Sequence, residues 1–257
     1  MIRADQEGQF ENIFHIPEPW YINRIEFSEE EKQLNVYVKS RKRAVFPCSD
    51  CGAIDQQIKD IATDDRTWRH LNFMEYPCYI HAELPRTKCD KCGRVMRVNV
   101  PWALEKPKHY FTLYFDALIL TLAKDMPMNA ISRWIGEHDT RLWRILHHYV
   151  DNAIAIQDLS HVAAISTDET SAKRGHDYIT IFMDPQQRNV IHVAKGKDSA
   201  TWGACKEHLE AHGGDANKVT EVCMDMSPAF IKGAKENFPK ASITFDKFHI
   251  IQKATDE

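Results

Sequence analysis

Apolar and polar residues alternate with a period of two in the first part of the chain, recur with a period near 3.6 in the middle, and return to short apolar runs in the last part. The stretch "INRIEFSEEEKQLNVYVKS", 22–40, reads as two strands around an acidic turn. It leads into "RKRAVFPCSDCGA", and further on "YPCYIHAELPRTKCDKCGRVMRV", 76–98, repeats the arrangement of strand, CxxC and strand. The segment "VPWALEKPKHYF", with Pro101 and Pro107, is expected to be a linker. Beyond it, apolar spacing predicts a helix ending before Pro127, a short one through Met128, Ile131, Trp134 and Ile135, and a third through Leu142, Ile145, Leu146, Tyr149 and Val150. From about 158 the pattern gives strands at 162–168, 177–183 and 190–194, a helix over 199–212 and a strand ending at Asp225. A helix opened by Ser227-Pro228 and closed by Pro239 follows, then a fifth strand in "ASITFD" and the start of a final helix in "FHIIQKATDE". The pattern divides the chain into 1–100, 101–157 and 158–257.

Composition changes this picture little: 43% hydrophobic and 27% charged residues are those of a globular protein. No apolar run is long enough to span a bilayer, and the polar, acidic start does not read as a signal peptide, so a cytosolic protein with no membrane partner is expected. The net charge of −4 disfavours a simple nucleic-acid binder, but its distribution does not. Residues 39–108 carry 14 Lys and Arg against 9 Asp and Glu, between acidic flanks. That asymmetry permits a phosphate-binding face in the middle of the chain.

Cys48 and Cys51, and Cys89 and Cys92, form two CxxC pairs, each followed by glycine, Gly52 and Gly93. Cysteines three apart in a tight turn point both thiolates at one ion, and the glycine permits the left-handed backbone such a knuckle requires. Two knuckles make a closed four-cysteine site for structural Zn²⁺, with the residues between Cys51 and Cys89 folded in as an inserted loop. Cys78, Cys205 and Cys223 read as small buried hydrophobes.

In the middle region Gly136 interrupts the helical pattern and Asp139 is a capping residue. Short helix, tight turn with glycine and longer helix is the helix-turn-helix plan, whose last helix enters a major groove. Thr140, Arg141, Arg144 and His148 fall largely off the apolar stripe of that helix. Arg41, Lys42, Arg43, Arg141 and Arg144 are the expected phosphate contacts on double-stranded DNA, with Arg141 and Arg144 placed to reach base edges.

Three hairpin-connected strands followed by helix, strand, helix, strand and helix is the order of the ribonuclease H-like fold, in which the first strand lies beside the fourth. The whole chain is therefore expected to be a multidomain α+β and α/β protein: a zinc ribbon, a helix-turn-helix, and a ribonuclease H-like mixed sheet with helices, incomplete at its carboxyl end. Asp168, at the end of the first strand of that sheet, would face Asp225 at the end of the fourth. Neighbouring carboxylates repel unless cations sit between them, and hard oxygen ligands suit Mg²⁺ or Mn²⁺. Glu169 rivals Asp168, but successive strand residues face opposite sides, so only one of them shares the side of Asp225.

The motifs "STDETSAKRGHDYITIFMD", "CMDMSPAFIKGAKENFP" and "FDKFHIIQK" resemble those of the ISL3 family of insertion-sequence transposases, and the four-cysteine segment and helix-turn-helix stand in that family's order. The resemblance runs from about Pro47 to Glu257. It implies that Asp168 and Asp225 are the first two acids of a DDE triad, and that the ribbon and helix-turn-helix bind terminal inverted repeats. It further implies strand cleavage by water and attack of the freed 3′ hydroxyl on target DNA, in a bacterial, nucleoid-associated setting; a homo-oligomer is a candidate partner, and the sequence does not fix the oligomeric state. In the family the third acid, a Glu, lies well beyond the "FDKFH" motif, and Glu257 follows that motif too closely to substitute for it. Glu169, Asp246 and His249 are candidates to flank the metal-holding acids without binding the metal themselves. The 257-residue chain by itself is therefore expected to be inactive, as a fragment or a truncated relic. The alternatives are a DNA-binding protein without chemistry and a ribonuclease H-like nuclease.

Overall fold

The computed structural model describes residues 9–105, 110–171 and 177–246 and divides the chain into two compact units, Met1–Asp151 and Asn152–Glu257. The final helix expected from 248 on, with His249 and Glu257, lies outside the described residues.

The first unit opens with α1 (Gln9–Ile13) and the strands β1 (Trp20–Ser28), β2 (Gln33–Ser40), β3 (Val45–Phe46), β4 (Gln56–Phe73), β5 (Tyr76–Lys88) and β6 (Val95–Arg97). They form one sheet in the order β1-β2-β5-β4-β3, with β6 on β5. The alternation read in the sequence buries one face: Val36, Val38, Ile80, Ala82 and Trp68 are all inside, around Trp20 and Trp102. Trp102 meets Trp20 and Trp68 edge-on at 5.0 and 5.6 Å.

Two expectations are corrected here. The residues between Cys51 and Cys89 are not an inserted loop; they are the hairpin β4–β5, whose second strand pairs in parallel with β2 through Val36↔Ile80 and Val38↔Ala82. Long alternation in both arms lets them complete a buried sheet face that a two-stranded hairpin cannot build alone. The described residues of the expected linker, 100–105 and 110–111, also include packed side chains. Trp102 and Ala103 are buried in the sheet core, and Phe111 is fully buried and bridged to Arg69 of β4.

The helices α2 (Leu113–Leu122), α3 (Met128–Ile135) and α4 (Asp139–Ala155) follow. Thr112 caps α2 by accepting from Phe115 N–H at 3.3 Å, and Pro127 precedes α3. Gly136 ends α3 at φ 76°, a left-handed conformation that glycine adopts without strain. Asp139 takes the first position of α4, where its carboxylate accepts from Thr140 N–H at 2.7 Å. Phe115, Ile119, Ile131, Leu142 and Ile145 form the helical core.

The second unit contains β7 (Ala164–Ser171), β8 (Tyr178–Asp184), β9 (Asn189–Lys195), α5 (Ala200–Ala211), β10 (Glu221–Met224), α6 (Pro228–Asn237) and β11 (Ser242–Phe245). The sheet order is β11-β10-β7-β8-β9, with β10 parallel to both β7 and β11 and the hairpins antiparallel. The first strand of this unit thus lies beside its fourth. Trp202 of α5 is the centre of the core, 5.1 Å from Phe182 and 5.9 Å from both Phe230 and Phe238. Gly233 of α6 permits this packing, since a Cβ there would come within 2.5 Å of the Trp202 ring. The helices cover the sheet face that carries Ile165, Phe182, Val222 and Met224. Cys223 lies on the other face and is half-buried, whereas Cys78 and Cys205 are fully buried as expected. Among the described residues no helix is long and apolar enough to cross a membrane.

Candidate functional site

Ala164, Ile165 and Ser166 of β7 stand opposite Glu221, Val222 and Cys223 of β10. The pairing stops there; carried two residues further, the same register would put Asp168 opposite Asp225, on the side of the sheet away from the helices. Glu169 pairs with the fully buried Thr180 and so belongs to the opposite, helix-covered side. On β11, Phe245 pairs with Met224, which sets Asp246 level with Asp225, and Asp246 N–H donates to Met224 O at 2.9 Å. Asp225 and Asp246 directly follow β10 and β11, whereas Asp168, expected at a strand end, lies inside β7, which pairs with β8 as far as Ser171.

Asp168 is exposed and its Oδ1 accepts from Glu169 N–H at 2.8 Å. Asp225 is half-buried and its Oδ1 accepts from Ser227 N–H at 3.0 Å, which explains locally why a strand ends in aspartate: the carboxylate turns the chain into α6. Oδ2 of both acids takes part in no hydrogen bond among the described residues. Carboxylates with an oxygen to spare, open to solvent on one side, fit a hard divalent cation.

In the first unit the two knuckles have the same geometry. Cys48 N–H donates to Ala53 O and Gly52 N–H to Cys48 O at 2.8 and 2.9 Å; Cys89 N–H donates to Arg94 O and Gly93 N–H to Cys89 O at 2.9 and 2.8 Å. Gly52 and Gly93 both have φ 72°. The Sγ atoms of Cys48 and Cys92 are 3.9 Å apart, those of Cys51 and Cys89 3.5 Å, and all four lie within 4.8 Å of one another. The N–H of Cys92, then that of Lys91, holds the Cys89 thiol down at about 7, towards the thiolate that a metal requires. Four sulfurs gathered this closely fit one tetrahedral ion.

Among the expected DNA contacts, Arg41, Lys42 and Arg43 are exposed between β2 and β3, with Arg41 3.3 Å from Glu18 Oε1. Arg144 is exposed on α4. Arg141 differs: its guanidinium is ion-paired to Glu137 and lies 4.5 Å over the Phe111 ring, so the fold itself already occupies it. Sequence reasoning missed the buried partners Arg69 and Glu137. The alternation that puts Trp68 in the core puts Arg69 on the outer face, and nothing local reveals that helices cover that face.

Three family models match in order: "zinc-finger of transposase IS204/IS1001/IS1096/IS1165" over 44–92, "Helix-turn-helix domain of transposase family ISL3" over 98–150, and an ISL3 "Transposase" model over 165–257. The transposase for insertion sequence element IS1001 of Bordetella parapertussis is 25% identical over 235 residues, covering 90% of this chain and 56% of the relative. The transposase for IS1557 of Mycobacterium tuberculosis is 27% identical over 258 residues, covering 96% of this chain and 55% of the relative. The chain thus spans about half the length of the curated relatives it matches. A solved simian T-cell lymphotropic virus intasome in complex with a PP2A regulatory subunit matches 54% of this chain and 55% of its own at 16% identity, but the TM-score of 0.28 gives that likeness no weight.

Proposed function

We propose, from the three ISL3 transposase-family models that match it in order, that this chain is the DNA-binding and acid-bearing portion of an insertion-sequence transposase. The observation that carries the reading is the register that, carried two residues further, would put Asp168 opposite Asp225 on the open side of the sheet.

In this reading Cys48, Cys51, Cys89 and Cys92 hold one structural Zn²⁺. Arg144 of α4 and the Arg41, Lys42 and Arg43 tip bind double-stranded DNA at the terminal inverted repeats, while Arg141 serves chiefly to brace α4. Asp168 and Asp225 hold Mg²⁺ or Mn²⁺, and Asp246 flanks them. When bound, a pair of such cations activates an attacking oxygen and stabilises a leaving one in phosphodiester cleavage and transfer. The protein groups contribute position: backbone N–H bonds from Glu169 and Ser227 fix one oxygen of each carboxylate, and the other would be available to hold a cation. The working form is a homo-oligomer acting in the bacterial cytoplasm, on element ends and on target DNA.

The test is cleavage of a duplex carrying the element's ends, with Mg²⁺ or Mn²⁺, by a protein of the relatives' full length that contains these residues. Cleavage that falls to background in Asp225→Asn and Asp168→Asn, with DNA binding intact, is expected. Undiminished cleavage by either variant rules out the two acids as the cation site. Cutting that is indifferent to the terminal repeats would instead indicate a general nuclease.

A further inference from the structure

Arg69 lies on the outer face of the first sheet, where sequence predicts solvent, yet it is only 2% exposed. Its Nε is 3.6 Å from Oε1 of Glu137, which is itself buried. Glu137 directly follows Gly136 in the turn that joins α3 to α4, and its Oε2 receives Arg141 from the first turn of α4. The Arg69 guanidinium also donates to the carbonyls of His70 and of Cys78, the latter at 3.3 Å, and to Asn72 Oδ1. Aromatic rings flank it, Tyr79 of β5 at 5.4 Å and Phe115 of α2 at 5.3 Å.

The backbone beside it is equally engaged. Arg69 N–H donates to Tyr110 O at 2.9 Å, and Arg69 O accepts from Thr112 N–H at 3.0 Å. Nδ1 of His70 lies 2.9 Å from Oγ1 of Thr112, the residue that caps α2. One short segment of β4 therefore holds both the start of α2 and the turn before α4.

A buried ion pair is a poor source of stability, because desolvation offsets most of the attraction, but it specifies geometry strongly: each partner tolerates few positions of the other. Apolar side chains would fill this space without that restriction. Arginine's planar fork adds fixed directions that a lysine lacks.

We propose that Arg69 is a positioning residue for DNA recognition: through Glu137 it fixes the angle at which α4 leaves the sheet, so that α4 and the Arg41–Arg43 tip meet DNA as one rigid pair. The DNA half of this statement rests on the function proposed above; the geometric half does not.

The test uses the full chain in three forms: wild type, Arg69→Lys, and the double variant Arg69→Met with Glu137→Met, which leaves neither charge buried alone. Spin labels at Glu30, in the β1–β2 turn, and at Asp151, on α4, report the distance distribution between sheet and helix. Anisotropy reports the affinity for a duplex carrying the terminal repeat relative to a scrambled duplex. Variants that melt cooperatively with wild-type helix content are expected to show a distribution about twice as wide and a repeat preference lowered about tenfold. Binding to scrambled DNA, set by phosphates, should stay within about twofold. Arg69→Lys should fall between the two, and it carries the test if the double variant does not fold. Wild-type widths in every folded variant overturn the proposal. A wild-type chain that does not prefer the repeat refutes the DNA reading, and the distance measurement still decides the geometric claim.

Discussion

Asp116 of α2 is fully buried, and burial raises its pKa from 3.8 to about 7, offset in part by the Tyr149 hydroxyl, which donates to its Oδ2 at 3.2 Å. An acid whose folded pKa lies above its unfolded one contributes stability that is complete below the unfolded value and lost as pH rises through the folded value. The window is therefore about pH 4 to 7. Asp116→Asn, which cannot ionise, should raise stability more at pH 8 than at pH 5, by on the order of 1–3 kcal/mol, as read by thermal melting at the two pH values. Equal effects at both values would show that Asp116 is not titrating in this range. The cysteines give the other prediction at this scale. Wild-type chain should carry one zinc and Cys92→Ser none, with the knuckles and β6 becoming protease-sensitive, because the binding energy lost is also folding energy. Metal analysis and limited proteolysis check both. These four ligands were legible in the sequence because CxxC-Gly spacing encodes the knuckle locally. Arg69 was not legible, because its partner Glu137 is far away along the chain and an arginine in an alternating strand reads as solvent-exposed.

At the scale of elements, the strands and helices of the second unit fall within a few residues of the sequence expectation, since each apolar run ends at a turn residue or proline that marks its limit. The register between β7 and β10 follows from topology once the fold is recognised, and it separates Asp168 from Glu169 by side of the sheet. The parallel pairing of β2 with β5 left no trace in the sequence. Strands that meet only after intervening chain carry no local signal of their partner, which is why the sequence shows β5 as a strand but neither its pairing with β2 nor the first arm β4. On α4 the two candidate arginines now carry different expectations. Arg144→Ala should weaken DNA binding uniformly across sequences and reduce the slope of log affinity against log salt by about 1. Arg141→Ala should instead cost stability, since it strips a partner from the buried Glu137. Salt titrations and melting curves of the two variants distinguish them, and identical behaviour would contradict the assignment.

At the scale of the whole chain, two carboxylates offer fewer ligands than a two-cation mechanism uses, and Asp246 ends the adjacent strand. The 257 residues alone are expected to bind Mn²⁺ weakly and to cleave element ends little. A protein of the relatives' full length that contains these residues is expected to cleave them robustly, and gel assays of the two proteins side by side make the comparison. Robust, Asp225-dependent cleavage by the short chain would show that Asp246 or a later residue within it completes the site. The bridge between Arg69 and Phe111 has a different kind of consequence, for how such a protein can be recombined. A crossover near residue 101 that imports foreign helices strands Arg69 without Glu137, and a lone buried charge costs about 3–5 kcal/mol. A crossover at 151/152 leaves every one of these contacts within one parent. On the proposed function, new DNA specificity would be transferred by exchanging ribbon, sheet and helices together, and a library of chimeras joined at both points should yield soluble protein predominantly from the second.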